Sequence, residues 1–485
     1  MIDEQYIEKF LKEAGAVKRR SVNKTKKNEI VNGFTLSDEQ QDALNKIKSF
    51  INSPFSAKKN MLSLSGNAGT GKSLILSAVV KFAMGKFLKY KLCAPTHKAK
   101  YIMSRYTKQE ASTIHSLLKL SPKLDIENLD YNDLQFVEPS FLSNSYDLVI
   151  IDECSMINEA LFDVFNEISL ASSIKIIFVG DDKQLRPVKD NAISPTFVKS
   201  PIKVRLTKVF RQDNESALVP ILIEARDHVI NHFESKKSEK GSLFVTNNPK
   251  DFIKPYINIL RNCNGDMDAA KIVCYRNERV NSFNNLVRRC LYKDMEKIPP
   301  FMNGDFLVGY SNFEYNGYNF FNSSDYRVCE DPKEISISIP FVGITKAFML
   351  TVYDPVFDCT ASVPVINVCS ENSEFIMKWQ TTFESLRIEA IKEKNLKKRN
   401  DIWKMYFDCI NACVTNTDLS LEGRVVKKRG FNYGYAITCH KSQGSTYTNV
   451  FVDMSDIFFV KDEDELRQMQ YVSLSRTRTD AYILI

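Results

Sequence analysis

One eight-residue segment has the composition and spacing of a phosphate-binding loop. Residues 66–73 read GNAGTGKS and match G-x-x-x-x-G-K-[ST] in full, between a strand-like apolar run and a helix-like segment. Glycines let backbone N–H groups turn toward phosphate oxygens, and the following helix points its positive end at them. We therefore expect Lys72 to contact the β- and γ-phosphates and Ser73 to ligate Mg²⁺. The candidate nucleotide-binding residues are Gly66, Asn67, Ala68, Gly69, Thr70, Gly71, Lys72 and Ser73.

An acidic pair ends a second apolar run, residues 148–151. Asp152 is placed to hold Mg²⁺, directly or through water, and Glu153 to orient and deprotonate an attacking water. Two acids at a strand end can also be an ordinary solvated cap. The phosphate loop upstream favours the catalytic interpretation.

Phosphoryl transfer requires cations and hydrogen-bond donors around the transferred group. Gln184, in the segment GDDKQ after the next apolar run, is a candidate to contact the γ-phosphate and report its loss. Arg211 in LTKVFRQ and Arg476 in YVSLSRTR are candidate arginine fingers. Both arginines would come from a second lobe, which would close over the nucleotide.

The composition is that of a globular protein of several domains. The chain has 485 residues, which predicts two to four domains, and 44% of them are apolar and 26% charged. A net charge of +7 mildly favours a polyanionic partner. No apolar run approaches the ~20 residues of a membrane span, and the first residues do not resemble a signal peptide. We expect a cytoplasmic protein that does not bind membranes.

The cysteines and histidines do not predict a metal site. The eleven cysteines are scattered without a C-x-x-C pair, and Cys93, Cys154, Cys274 and Cys439 lie in apolar runs, as buried reduced thiols do. His228 and His232 are four residues apart on a helix-like stretch, but no third ligand is evident.

Short apolar runs alternate with helix-like segments in two parts of the chain, which predicts parallel sheets covered on both faces. The runs of the first part are residues 61–66, 91–96, 146–153 and 175–181, and those of the second are 271–275, 435–440, 449–454 and 481–485. The intervening region 299–427 is rich in β-branched and aromatic residues and carries a charged helical segment at 378–407. At the N-terminus, a short helix at 4–14 precedes a basic segment, for which a solvated leader is favoured over a DNA-binding arm.

The motifs, in this order and spacing, resemble those of superfamily 1B helicases of the RecD-like branch, most of all the Dda type. The segments that carry the resemblance are LSDEQQDAL (36–44), GNAGTGKS (66–73), APTHKAK (94–100), EASTIHSLLKLSP (110–122), IDECSM (151–156), GDDKQLRPV (180–188), LTKVFRQ (206–212), TCHKSQGST (438–446) and YVSLSRTR (471–478). In the family's terms these are the Q motif and motifs I, Ia, Ib, II, III, IV, V and VI.

The resemblance implies an α/β fold with two RecA-like P-loop lobes, ATP and Mg²⁺ as cofactors, and 5′→3′ movement on single-stranded DNA. The implied division is an N-terminal extension (1–32), a first lobe (33–205) with a β-hairpin pin inserted at about 120–145, a second lobe (206–298 and 428–485), and an inserted SH3-like domain with helices (299–427).

Further site residues follow from the resemblance. Gln40 is expected to read the adenine edge, with Gln41 as its rival, and Phe210 either stacks on the adenine or packs in the core. Phe136 is the candidate pin residue that blocks the base pair at the fork, with Tyr131 and Phe141 as rivals. The candidate DNA contacts in motifs Ia, Ib and V are Pro95, Thr96, His97, Lys98, Thr113, His115, Thr438, His440 and Ser445.

The predicted partners are single-stranded DNA and forked duplex DNA, with a single-strand-binding or replisome protein as a further possibility, and the protein is expected to be a monomer. Three alternatives share these motifs: a translocase that displaces proteins from DNA with little unwinding, a DNA-binding subunit with a dead ATPase, and a RecD-like subunit of a nuclease complex. The intact lysine, acid pair, glutamine and arginines argue against a dead ATPase.

Overall fold

The computed structural model describes residues 28–120, 142, 145–187, 192–209, 216–417, 419–421, 424–426 and 429–485. The predicted N-terminal helix, most of the pin segment with Phe136, and the pair Phe210 and Arg211 lie outside the described residues.

A six-stranded parallel sheet forms the centre of the first lobe. Its apolar strands are buried on both faces, as their continuous hydrophobic runs predict. In order across the sheet the strands are Ala111–Thr113, Tyr90–Ala94, Leu148–Ile151, Lys175–Gly180, Met61–Gly66 and Ile202–Leu206. The helices of this lobe are Asp38–Asn52, Lys72–Gly85, His97–Thr107, Ile114–Leu118, Glu159–Ser172 and Pro195–Lys199. A short antiparallel hairpin, Ile30–Val31 with Phe34–Thr35, precedes them.

The second lobe contains a five-stranded parallel sheet. In order across the sheet its strands are Ala436–Thr438, Ala270–Cys274, Asn449–Asp453, Ala481–Leu484 and Leu243–Thr246. Its helices are Leu218–Asp227, Pro249–Asn262, Asn277–Leu291, Met454–Ile457 and Glu463–Leu474. The prediction of an α/β fold with parallel sheets is confirmed, because each predicted apolar run of the two lobes contains a strand.

The insert between these parts is built on a mainly antiparallel sheet of seven strands. Six strands run in the order Val414–Thr415, Cys359–Ile366, Gly343–Asp354, Asp325–Val328, Phe306–Gly309 and Phe431–Tyr433, and Lys333–Ile339 also pairs with Gly343–Asp354. Two small hairpins join Phe313–Tyr315 to Tyr318–Phe320 and Leu419–Leu421 to Arg424–Val426. The strand Phe431–Tyr433 belongs to this sheet, so the boundary predicted at residue 427 falls before the last strand of the insert.

The charged segment predicted as helical at 378–407 forms two packed helices, Ser373–Lys392 and Leu396–Ile410. The break has a local cause: Asn395 caps the second helix by accepting the N–H groups of Lys397 and Lys398. Within the described part of the chain, every helix is too short or too polar to cross a bilayer.

Candidate functional site

The loop after the strand Met61–Gly66 has the backbone that its glycines predict. Gly69 and Gly71 adopt left-handed φ angles of 82° and 88°. A Cβ on Gly71 would lie 2.3 Å from the side-chain nitrogen of Gln40, so this position also needs glycine for space. Lys72 begins the following helix and its Nζ lies 2.5 Å from the Gly66 carbonyl oxygen and 3.0 Å from that of Asn67. The lysine ammonium therefore lies over the loop.

Gln40 contacts the loop, whereas Gln41 does not. The Gln40 Nε2 group donates to the carbonyl oxygen of Thr70 at 3.0 Å, and its Oε1 accepts the N–H of Ser37 at 3.0 Å. Its side chain is 4% exposed. Gln41 instead bonds Glu29 and Asn45 on the surface. Gln40 thus braces the phosphate loop, a role that its sequence position did not indicate, and its reading of an adenine stays a prediction.

The acid pair lies at the carboxyl end of the strand Leu148–Ile151. Asp152 Oδ2 accepts the hydroxyl of Tyr106 at 2.5 Å, and that hydroxyl also hydrogen-bonds Ser73. The two residues expected to hold Mg²⁺, Ser73 and Asp152, are therefore brought together by one tyrosine. No sequence pattern singled out Tyr106, which lies in the last turn of the helix His97–Thr107.

Glu153 occupies a left-handed conformation (φ 53°) directly after Asp152. Burial, followed by the charge of Asp152, raises the pKa of Glu153 to about 7, while Arg476 and Lys72 act in the opposite direction. These two cations come from opposite lobes. The acid pair therefore lies where the lobes meet, and the role of Glu153 in activating water stays a prediction.

Of the two candidate arginine fingers, Arg476 lies within the described residues and Arg211 does not. Its side chain is 4% exposed, and its guanidinium donates to the carbonyl oxygens of Val472 (3.0 Å) and Ser445 (3.3 Å). Gly444 lies beside the same site, since a Cβ there would be 4.0 Å from Glu153 Oε1. Arg476 and Gly444, far apart in sequence from the acid pair, thus reach it from the second lobe.

A tyrosine of the second lobe contacts the phosphate loop itself. The hydroxyl of Tyr471 accepts the backbone N–H of Ala68 at 2.9 Å and donates to Asp181 Oδ2 at 2.9 Å. Asp181 opens the turn that carries Gln184, whose Oε1 is buried without a hydrogen-bond partner among the described residues. Asn67 Oδ1 is in the same situation. Two acceptors of this site are therefore not engaged by described protein groups.

The candidate DNA contacts of the first lobe cluster at the ends of two paired strands. Ala94 pairs with Thr113, so the segments that follow each strand lie side by side. Thr96 accepts the N–H of Ala99, and Thr113 that of Ser116, so both hydroxyls cap helices. Pro95 is buried and His115 half-buried.

His97 contacts the insert. Its ring stacks on that of Phe321 with centroids 3.4 Å apart and an interplanar angle of 20°. Burial, with smaller contributions from Lys100 and His115, lowers the pKa of His97 to about 3. His97 is consequently neutral at physiological pH.

Lys98 is paired with protein groups. Its Nζ lies 2.5 Å from Asp325 of the insert, and its side chain is 16% exposed. Asp325 also binds Lys271 of the second lobe at 3.1 Å. In this arrangement the Lys98 charge is used to join three parts of the molecule, and its predicted contact with DNA remains a prediction.

The predicted contacts of the second lobe are largely buried. Thr438 Oγ1 accepts the N–H of Lys441 at 3.3 Å, and burial lowers the pKa of His440. Ser445 is 1% exposed, and its hydroxyl has no partner among the described residues. Ser445 therefore retains a hydroxyl that could bind a ligand after a small rearrangement.

Comparisons with known proteins agree with these motifs. A family model described as an AAA domain matches residues 35–236, and one described as a UvrD-like helicase C-terminal domain matches residues 433–484. The ATP-dependent DNA helicase dda of Enterobacteria phage T4 is 24% identical over 470 residues, covering 92% of this chain and 98% of that protein. The chain is a superfamily 1B helicase related to Dda and RecD.

Two further relatives differ in how much of this helicase they match. An uncharacterised protein of Acanthamoeba polyphaga mimivirus is 26% identical over 492 residues, covering 90% of this chain and 97% of that protein. The ATP-dependent RecD2 DNA helicase of Deinococcus radiodurans is 32% identical over 188 residues, covering 38% of this chain and 23% of that protein.

For this helicase, the sequence motifs identified candidate site residues but not the residues elsewhere in the chain that contact them. Tyr106, Tyr471, Phe321 and Asp325 each contact a predicted site residue from a different element. The YVSLSRTR segment contained Tyr471, but only the three-dimensional contact with Ala68 distinguishes it from an ordinary core tyrosine.

Proposed function

We propose that the protein is an ATP-driven motor that moves 5′→3′ along single-stranded DNA and unwinds duplex DNA. The observation that carries this proposal is the meeting of the two lobes at Glu153: a Cβ on Gly444 of the second lobe would lie 4.0 Å from Glu153 Oε1. The charges of Lys72 of the first lobe and Arg476 of the second both lower the pKa of that carboxyl. A site shared between lobes can convert nucleotide binding and hydrolysis into relative movement of the lobes.

The residues fit a bound ATP with Mg²⁺. Ser73 and Asp152 supply a hydroxyl and a carboxylate oxygen, both within hydrogen-bonding reach of Tyr106, and hard oxygen ligands of this kind suit Mg²⁺. Among the described residues no group of three or more acidic, histidine or cysteine side chains forms a separate metal site. A bound Mg²⁺ would offset the phosphate charge, which is its usual chemistry in such sites.

Each side chain of the site has a separate proposed role in ATP hydrolysis. Lys72 neutralises the phosphates, and Glu153 accepts a proton from the attacking water and orients it. Gln184 reports the presence of the γ-phosphate, to which its side-chain NH2 group can donate a hydrogen bond. Arg476, and Arg211 outside the described residues, stabilise the charge that develops on the transferred group.

DNA is proposed to cross both lobes at the strand ends that carry motifs Ia, Ib and V. Most contacts would be to phosphate and sugar, since a motor must accept any sequence. Ser445 is 1% exposed and its hydroxyl has no partner among the described residues, so it would contact DNA only after a small rearrangement. The lobes would alternate their grip as the nucleotide site closes and opens.

The insert and the pin have proposed roles in unwinding at the fork. The antiparallel sheet of the insert corresponds to the SH3-like domain of the family, and Phe136 to the residue that separates the base pair at the fork. The stack of His97 on Phe321 and the pair of Lys98 with Asp325 support a coupling of the insert to the first lobe at motif Ia. We propose that the protein acts as a monomer on forked DNA, where it can meet single-strand-binding or replisome proteins.

The decisive experiment combines ATP hydrolysis with strand displacement. We expect single-stranded DNA to stimulate ATP hydrolysis in the presence of Mg²⁺, and forks with a 5′ single-stranded tail to be unwound. Forks with a 3′ tail alone serve as the matched control and should remain paired. Unwinding from 3′ tails would overturn the polarity, and stimulated hydrolysis that displaces a bound protein without unwinding would indicate a translocase. Absence of DNA-stimulated hydrolysis would overturn the motor function.

A further inference from the structure

Tyr471 forms a direct hydrogen-bonded connection between the second lobe and the phosphate loop of the first. The residue is 2% exposed, and its hydroxyl uses both of its functions: it accepts from the Ala68 N–H and donates to Asp181 Oδ2, each at 2.9 Å. Ala68 and Asp181 lie on two separate turns of the first lobe. One hydroxyl therefore connects three segments that no local sequence pattern relates.

Both of these turns carry residues of the candidate nucleotide site. Ala68 lies in the phosphate loop, and Asp181 organises the turn before Gln184. The Asp181 Oδ1 accepts the N–H of Lys183 at 3.0 Å, and its carbonyl oxygen accepts that of Gln184 at 3.3 Å. A shift of Asp181 would therefore change the position of Gln184. Tyr471 contacts the backbone of the first turn and the Asp181 carboxylate of the second. The Gln184 amide oxygen has no hydrogen-bond partner among the described residues.

Within the second lobe, hydrogen bonds to backbone carbonyl oxygens connect Tyr471 to the segment that carries Arg476. The helix Glu463–Leu474 ends just after Tyr471, and the N–H of Ser475 donates to the Tyr471 carbonyl oxygen at 2.9 Å. The Arg476 guanidinium is held by the carbonyl oxygen of Val472 at 3.0 Å. Any displacement of Tyr471 from Ala68 would thus be passed to Arg476, whose charge acts on Glu153.

We infer that Tyr471 is a positioning residue for ATP hydrolysis, whose hydroxyl holds the second lobe against the phosphate loop and the Asp181 turn and thereby sets Arg476 opposite Glu153. This role rests on the proposed function. Loss of the Tyr471 hydroxyl should affect the hydrolysis step more than nucleotide binding. The hydroxyl orients protein groups on both lobes, and its removal leaves the Lys72 contacts with the loop unchanged.

The test is Tyr471→Phe, with Tyr447→Phe as the matched control. Tyr447 is also a fully buried tyrosine of the second lobe, but its hydroxyl has no hydrogen-bond partner among the described residues. Removing the Tyr471 hydroxyl leaves a partly buried N–H and a buried carboxylate oxygen without their partner, so kcat for DNA-stimulated ATP hydrolysis should fall about tenfold or more. The KM for ATP should change less than about twofold, since binding groups are retained. Tyr447→Phe should leave kcat at its original value.

A second measurement does not depend on activity. The Ala68 amide should exchange its hydrogen for deuterium faster in Tyr471→Phe than in the unsubstituted protein, and the exchange should be unchanged in Tyr447→Phe. Unaltered exchange at Ala68, or a kcat equal to that of the control variant, would overturn the role of Tyr471. Failure of the proposed function is recognised separately, because the unsubstituted protein would then show no DNA-stimulated hydrolysis, while the exchange measurement would still decide whether Tyr471 holds the loop.

Discussion

Lys98 of the first lobe and Asp325 of the insert form a largely buried ion pair, with Nζ and Oδ2 2.5 Å apart. Burial alone would raise the pKa of Asp325, but Lys271 of the second lobe and Lys98 outweigh it and lower the pKa to about 2. The aromatic ring of Tyr447 lies 5.4 Å from both ammonium groups. One carboxylate therefore joins both lobes to the insert.

This relationship predicts that Asp325→Asn destabilises the protein. The amide has the shape of the carboxylate but leaves two lysine charges without their anion, so the free energy of unfolding should fall by about 3 kcal/mol in a urea titration. Because the pKa of Asp325 is lowered in the folded protein, its contribution to the free energy of unfolding is present above the pKa of an unfolded aspartate. That contribution is lost as the pH falls below about 4. Glu334→Gln, which breaks an exposed pair with Lys346, is the control and should change little. Equal effects of the two variants would contradict the role of Asp325.

Lys72→Ala should abolish ATP hydrolysis. The ammonium over the phosphate loop is lost, and removal of one such stabilising group typically lowers kcat by about a hundredfold or more. The measurement is phosphate release with saturating single-stranded DNA. Lys86→Ala, at the exposed far end of the same helix, is the control and should hydrolyse ATP normally. Substantial hydrolysis by Lys72→Ala would refute the assignment of this loop.

Glu153→Gln should separate nucleotide binding from hydrolysis. The amide keeps the shape of the side chain but cannot accept a proton from water, so kcat should fall by about a hundredfold or more. Binding of ATP, measured with a fluorescent analogue, should persist because the phosphate loop is intact. Glu167→Gln, on the exposed face of the helix Glu159–Ser172, should leave both quantities unchanged. A normal turnover of Glu153→Gln would assign the base to another residue.

His97 should make the stability of the protein depend on pH. Its pKa is about 3 in the folded chain and about 6.5 when unfolded. The unfolded state therefore binds the extra proton between these values, so stability is full above about pH 6.5 and declines as the pH falls below it. His97→Gln should reduce the difference in unfolding free energy between pH 7.5 and 5.5 by about 1 kcal/mol. His232→Gln, at an exposed histidine, should preserve that difference. An undiminished difference in His97→Gln would mean that the ring is free to protonate.

Phe136→Ala tests the proposed pin, which lies outside the described residues. The variant should lose strand displacement on 5′-tailed forks while retaining DNA-stimulated ATP hydrolysis, because only the group that blocks the base pair is removed. Phe87→Ala is a suitable control, since Phe87 is a 95% exposed phenylalanine of the same lobe. If Phe136→Ala unwinds as well as the control, the pin residue is a different one.

The sequence alone determined the phosphate loop, the acid pair and the parallel α/β fold, and it predicted the helicase family that the comparisons confirm. These features depend on local rules: glycine at left-handed φ, alternation of apolar runs with helices, and residue types at fixed spacing. The extent of the insert was less accessible, because Phe431–Tyr433 looks like any short apolar strand until its pairing with Phe306–Gly309 is known.

The tertiary structure decided which partner each polar group takes. Tyr471 and Ala68 are 403 residues apart in the chain, and Lys98 and Asp325 are 227 apart. Such contacts depend on the path of the whole backbone and on burial, which strengthens a hydrogen bond or an ion pair by excluding water. For that reason Lys98 could be predicted from its motif as a DNA contact, and only the fold shows it joined to Asp325.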